Sequence, residues 1–278
     1  MRKWIYIVLI IMFFVIFLVS GGLLLDYYIK SKQAADSYDQ LAQLVQQAQQ
    51  NRPTEERLPE EQTSATEPEE LLVDVRDPES GEIVQVLPEF AYVYTINHDM
   101  VGWIYIDNTR INYPVMHRPE QKDYYLYKDF HEAYSADGSI YIREDCDVFA
   151  PTDNVVIYGH RMNSGAMFAD LLKYKEEEFY RENPYIQFDT LREHQTYEII
   201  SVFTISASLD NGFQFHRYVD MTEEEFAEFV SQCKARALYE TGVSAQEGDQ
   251  LITLSTCEKN NSYMRVVVVA KKIEHVVD

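Results

Sequence analysis

From Trp4 to Leu25 the chain carries no charged side chain, a run of about 22 residues that a water-soluble core rarely demands. As a helix rising about 1.5 Å per residue it would be roughly 33 Å long, which matches a hydrocarbon core of about 30 Å. The run therefore reads as one membrane-crossing signal-anchor. A cleaved signal peptide is the rival, but its apolar region would be only about 7–15 residues long, and Ser20-Gly21-Gly22 is a weak cleavage signal. Residues 1–3 hold the basic pair Arg2 and Lys3, expected to stay in the cytoplasm, which puts the acidic remainder outside. Lys30 and Lys32 pull the other way, flanked by Asp26 and Asp36.

Beyond the span, Tyr38, Leu41, Val45 and Ala48 recur at helical spacing in a Gln- and Ala-rich stretch, so residues 26–50 are expected to form a helical stalk. Its thin apolar stripe either packs on the folded domain or leaves the helix as a plain spacer. From Asn51 to Glu70 three prolines and seven glutamates replace nearly all large apolar residues. Such a composition cannot sustain a core, and residues 51–85 read as an acidic, charge-extended linker. Leu58-Pro59-Glu60-Glu61-Gln62-Thr63 falls inside it and reads as linker too. That leaves residues 86–278 as one domain of ordinary size.

This domain is mainly β with inserted helices. Strand patterns cover 102–106, 111–115, 139–142, 154–158, 185–188, 197–206, 250–256 and 264–273, and eight short strands suggest a closed eight-stranded barrel. Between the sixth and seventh lies the clearest helix: Thr222 and Glu225 form a capping box, and Phe226, Phe229, Val230, Cys233 and Ala237 make one apolar face. Its acidic opposite face, with Glu223, Glu224 and Glu228, has no metal-loop pattern and reads as solvated.

Chemistry is expected where strands end. Cys257 follows the buried-strand pattern Leu251 to Thr256, Arg265 opens the next apolar run, and His160 follows Val155 to Gly159. A thiolate attacks, an imidazole moves protons and a fixed cation stabilises an oxyanion, so the three are the parts of a thiol acyl-transfer site. Taken singly, each has a plainer reading as buried hydrophobe, structural histidine or surface charge. An ordinary thiol is only about 3% ionised at pH 7, so positive charge from His160 and Arg265 would serve the nucleophile.

Thr253-Leu254-Ser255-Thr256-Cys257 resembles the TLxTC signature of sortases, Tyr158-Gly159-His160 the segment that holds their catalytic histidine, and Arg265 their arginine. The resemblance runs from about Leu87 to Ile273. Val101-Gly102-Trp103-Ile104, Ile111-Asn112-Tyr113-Pro114-Val115, Gly138-Ser139-Ile140, Met167-Phe168 and the long helix resemble class B sortases in particular. It implies a sortase-like barrel and a membrane-anchored cysteine transpeptidase of Gram-positive type. Such an enzyme cleaves a C-terminal NPxTN-like sorting signal after Thr, then passes the acyl group through a Cys257 thioester to an amine. It further implies that Asn112 and Met116 line the groove, that Ser255 and Glu258 sit beside the nucleophile, and that Phe213, Phe215 and Tyr218 wall the peptide in.

The partners implied are secreted proteins bearing a sorting signal and either a peptidoglycan-precursor amine or a pilin lysine; membrane lipid would be met through the N-terminal helix. A pilin-polymerising enzyme, a membrane-anchored cysteine peptidase and a non-enzymatic tethered binding module are the alternatives. The net charge of −22 without a basic patch argues against nucleic acid. No phosphate loop or metal-ligand spacing is present and no cofactor is implied. Three cysteines outside a reducing compartment leave at least one thiol free; Cys146 and Cys233 could pair, although Cys233 reads better as core.

Overall fold

The computed structural model of the chain describes residues 2–50, 71–207, 212–258 and 261–273. Most of the acidic linker, residues 51–70, lies outside the described residues.

The apolar run and the stalk form one helix, α1 (Arg2–Gln50). Its first half is long and apolar enough to cross a membrane, and side chains from Trp4 to Ile29 stay exposed. Its second half docks. Tyr38, Leu41 and Val45 are buried in the domain's own core, as their spacing of three and four residues along one face requires.

Next comes a hairpin, β1 (Val73–Arg76) and β2 (Ile83–Val86), within the stretch the composition assigns to the linker. Asp77 builds its turn: Oδ1 accepts the backbone N–H of Ser80 at 2.7 Å and of Glu79 at 2.9 Å, and Oδ2 accepts the Tyr94 hydroxyl at 2.8 Å. Burial pushes the Asp77 carboxyl up, but the Ser80 N–H, the Tyr94 hydroxyl and the other donors outweigh it, taking it from 3.8 to about 2. Because the folded value lies below the unfolded one, this group's contribution is complete above about pH 4 and fades as pH falls toward 2. Asp77→Ala should strand those donors and cost about 1–3 kcal/mol, read as a lower urea midpoint at pH 7. The same comparison at pH 2 should show most of that difference gone.

After α2 (Ala91–Ile96) come the barrel strands: β3 (Met100–Tyr105), β4 (Asn112–Met116), β5 (Ile140–Ile142), β6 (Asn154–Tyr158), β7 (Tyr185–Thr190), β8 (Thr196–Ser206), β9 (Leu251–Glu258) and β10 (Asn261–Ile273). They close in the order β10-β8-β7-β3-β4-β5-β6-β9, with β9 returning to β10. The expected eight-stranded barrel is therefore present, with strand limits moved by up to three residues. Two pairings are parallel, β4 with β5 and β6 with β9. Each needs a long crossover, and the crossovers carry the short helices and loops that surround the site.

β9 and β10 read as continuous apolar runs because both of their faces are covered: Leu251 to Thr256 and Val266 to Ala270 are buried, and the 3₁₀ segment Phe168–Lys175 packs over both strands. α3 (Glu177–Glu182) follows that segment. α4 (Glu223–Arg236) starts at the expected capping box, in which the Thr222 hydroxyl accepts the Glu225 N–H and the Glu225 carboxylate accepts the Thr222 N–H. Phe226, Phe229, Val230 and Cys233 are its buried face; Ala237 is the residue that caps its C-terminus.

Candidate active site

β6 runs parallel to β9 with Asn154 opposite Leu251 and Tyr158 opposite Ser255. The ladder continues past Tyr158, where the Gly159 N–H donates to the Ser255 carbonyl at 3.3 Å. Extending this register by two residues puts His160 level with Cys257. On the other side of β9, β10 pairs Arg265 directly with Cys257. Thiol, imidazole and guanidinium thus leave three adjacent strands at one height, where neighbouring strands are about 4.8 Å apart.

All three line one cleft of about 710 Å³. Thr256 and Ser255 are buried, whereas Cys257 is half-buried at the point where β9 reaches the cleft. Cys146 and Cys233 are both free thiols in the core, so they do not pair. Burial pushes the Cys146 thiol up to about 12 and raises that of Cys233 as well, which leaves neither as a nucleophile.

His160 is set by a backbone group. Its Nε2 lies 2.7 Å from the Leu126 carbonyl oxygen. A carbonyl can only accept, so Nε2 carries a proton in both charge states and Nδ1 is the nitrogen that gains and loses one. The ring also packs on Tyr127, with centroids 5.5 Å apart and planes tilted by 33°. Gly159 is a matter of space: a Cβ there would stand 2.5 Å from Ile140 Cδ1 and 2.7 Å from the Phe168 ring. Any larger residue would have to displace the Ile140 side chain and the Phe168 ring.

The remaining expected residues divide. Ser255 lines the cleft, as do Phe213 and Phe215, which pack on Phe203 and form one wall. Tyr218 is not among the lining residues; its ring packs on Phe213 and Phe229 and its carbonyl accepts the Asn154 side-chain amide at 2.7 Å, so it holds the wall from behind. Asn112 also lies off the cleft, accepting the Trp103 indole N–H at 2.6 Å. Met116 is fully buried, on a strand whose residues from Tyr113 to Met116 are all covered, and does not line the cleft. The Glu258 carboxylate points to Lys175, with Nζ 3.0 Å away, and does not line the cleft.

Several cleft residues carry no sequence signal. Leu126 acts through its carbonyl, which no side-chain pattern reveals. The lining also carries charge: Asp123 accepts the Tyr141 hydroxyl at 3.0 Å, and the Arg143 guanidinium donates to the His216 carbonyl. Burial first, then the Arg143 and Arg217 guanidiniums, hold the His216 imidazole below its ordinary value, which favours its neutral form.

The sequence profile of a family described as "Sortase domain" matches residues 104–273. Sortase B of Staphylococcus aureus is 27% identical over 276 residues, covering 99% of this chain and 98% of the relative. Sortase B of Listeria monocytogenes is 29% identical over 191 residues, covering 68% of this chain and 76% of the relative. Among solved structures, the Staphylococcus aureus sortase B–substrate complex superposes with a TM-score of 0.70 at 25% identity, covering 88% of this chain and 99% of that one. A sortase B from B. anthracis gives a TM-score of 0.67 at 26% identity, with 89% and 100% covered.

Proposed function

Since the chain belongs to the sortase family, resembles its class B members and is therefore a cysteine transpeptidase, we propose that Cys257, His160 and Arg265 carry its reaction on a C-terminal sorting signal. The observation that supports this most is their common height on three adjacent strands at one cleft. The similarity that makes the chain a transpeptidase also sets aside the non-enzymatic binding module.

In the first half-reaction the Cys257 thiolate attacks the carbonyl carbon of the Thr in an NPxTN-like signal. Arg265 holds the oxyanion, and His160 delivers its Nδ1 proton to the departing amine as the C–N bond breaks. What remains is a thioester on Cys257. In the second half an acceptor amine attacks the thioester carbonyl, His160 takes the amine's proton, and the thiolate leaves. The acceptor is an amine of a cell-wall precursor. α1 serves as the anchor, crossing the membrane once with the catalytic domain outside, where both signal-bearing proteins and wall precursors are found. The Staphylococcus aureus sortase B of similar fold is solved in complex with a substrate, which supports a cleft of this fold taking a signal peptide.

Thioester chemistry supplies the test. A transpeptidase keeps its acyl-enzyme alive until an amine arrives, so an NPxTN-like peptide alone should leave a covalent adduct on Cys257, visible by intact-protein mass spectrometry. Oligoglycine or a diaminopimelate-type amine should then discharge it and yield the transferred product. Rapid hydrolysis with no adduct and no response to either amine would favour the peptidase reading. Discharge by a pilin lysine peptide alone would favour pilin polymerisation.

A further inference from the structure

We infer that Tyr38, on the helix leading out of the apolar span, is a positioning residue for His160: it fixes the turn that sets the Leu126 carbonyl against which the imidazole is held. The inference rests on His160 being the proton carrier.

The chain of contacts is continuous. The Tyr38 hydroxyl donates to the Gly138 carbonyl at 3.1 Å and lies 2.9 Å from Ser139 Oγ. Ser139 Oγ donates to the Lys128 carbonyl at 2.8 Å, and the Ser139 N–H donates to the Tyr125 carbonyl at 3.1 Å. Each hydroxyl has one proton, so that of Ser139 serves Lys128 while that of Tyr38 is shared between Gly138 O and Ser139 Oγ. Ser139 thereby pins the carbonyls on either side of Leu126, at positions 125 and 128. The Leu126 carbonyl between them is left to meet His160 Nε2 at 2.7 Å.

Gly138 brings this turn close enough to matter. Its φ of +61° is a left-handed conformation, and a Cβ there would stand 2.5 Å from the Leu126 oxygen. The turn backbone is therefore in contact with the very group that accepts from the imidazole. α1 holds the neighbouring residue as well: Ser31, two turns before Tyr38 on the same face, donates to Asp137 Oδ2 at 3.1 Å.

A space-filling role would not need the hydroxyl. The Tyr38 ring already packs edge-on against Tyr113, with centroids 5.5 Å apart, and Phe would fill the same place. A buried phenol is costly unless bonded, and here both acceptors belong to the turn behind His160. Burial raises the Tyr38 hydroxyl's pKa, so it stays a neutral donor throughout the working pH range.

The test uses the full-length protein in detergent, with Tyr38→Phe set against Leu41→Ala. Leu41 is buried in the same helix interface, and none of the polar contacts to the turn passes through it. Tyr38→Phe should lower kcat for signal-peptide cleavage about 10-fold with KM within about twofold, the scale of a slightly misplaced catalytic group. It should also move the ¹⁵N signal of His160 Nε2 in selectively labelled protein. Leu41→Ala should lower Tm and leave kcat and the Nε2 signal in place. The inference is overturned if Tyr38→Phe changes neither kcat nor the signal, or if Leu41→Ala changes both as much. Those outcomes differ from failure of the site reading, which would appear as His160→Ala retaining activity.

Discussion

Cys257→Ala is expected to abolish both cleavage and transfer, to below detection, while the barrel stays folded. Among the described residues no other thiol lines the cleft, since Cys146 and Cys233 lie in the core with their thiols pushed up by burial. Cys257 itself is half-buried at the end of β9, so loss of one sulfur there should leave little cavity. Activity measured by peptide cleavage should vanish with Tm unchanged. Cys146→Ala and Cys233→Ala should do the reverse, softening the core and keeping kcat. A folded Cys146→Ala or Cys233→Ala protein without activity, beside an active Cys257→Ala, would overturn the assignment.

Substitutions of His160 and Arg265 are expected to come next in size. His160→Ala and Arg265→Ala should each lower kcat by about 100-fold or more, the usual scale for an acid–base group or an oxyanion donor. The two should be separable by partial rescue. Arg265→Lys keeps the charge and loses the planar fork, so it should restore only part of the rate. His160→Asn can still donate an N–H to the Leu126 carbonyl but cannot move a proton, so it should remain as slow as His160→Ala. A His160→Asn enzyme at near wild-type speed would mean that the histidine orients the cleft without carrying protons.

Local features were legible in the sequence. The uncharged run from Trp4 depends only on composition, the Thr222–Glu225 capping box spans four residues, and the runs ending at Tyr158 and Thr256 carry their own strand pattern. The β1–β2 hairpin was hidden for an equally local reason. Its strands are four residues each and lie in an acid-rich stretch whose composition outweighs the Asp77-to-Gly81 turn signal.

Cys257, His160 and Arg265 could be named from strand-end position and from motifs of three to five residues, and so could the fact that such groups belong together. Their alignment could not. It comes from one parallel and one antiparallel register across β9, and register is a property of pairs of strands far apart in the chain. For the same reason Met116, expected in the groove, is fully buried, since only closure and packing decide which strand faces are covered.

The sequence by itself thus determined the apolar span, most strands and the α4 start, and it named three side chains that the barrel brings to one cleft. The tertiary structure alone decided what holds that site in place. The acceptor for His160 is a backbone carbonyl, a group every residue carries and no side-chain pattern marks. Tyr38 reaches the turn behind it only because the second half of α1 docks on the domain, about 100 residues from its partners in the chain. Side-chain chemistry is written residue by residue, whereas the placing of backbone groups and distant helices is settled only when the whole chain packs.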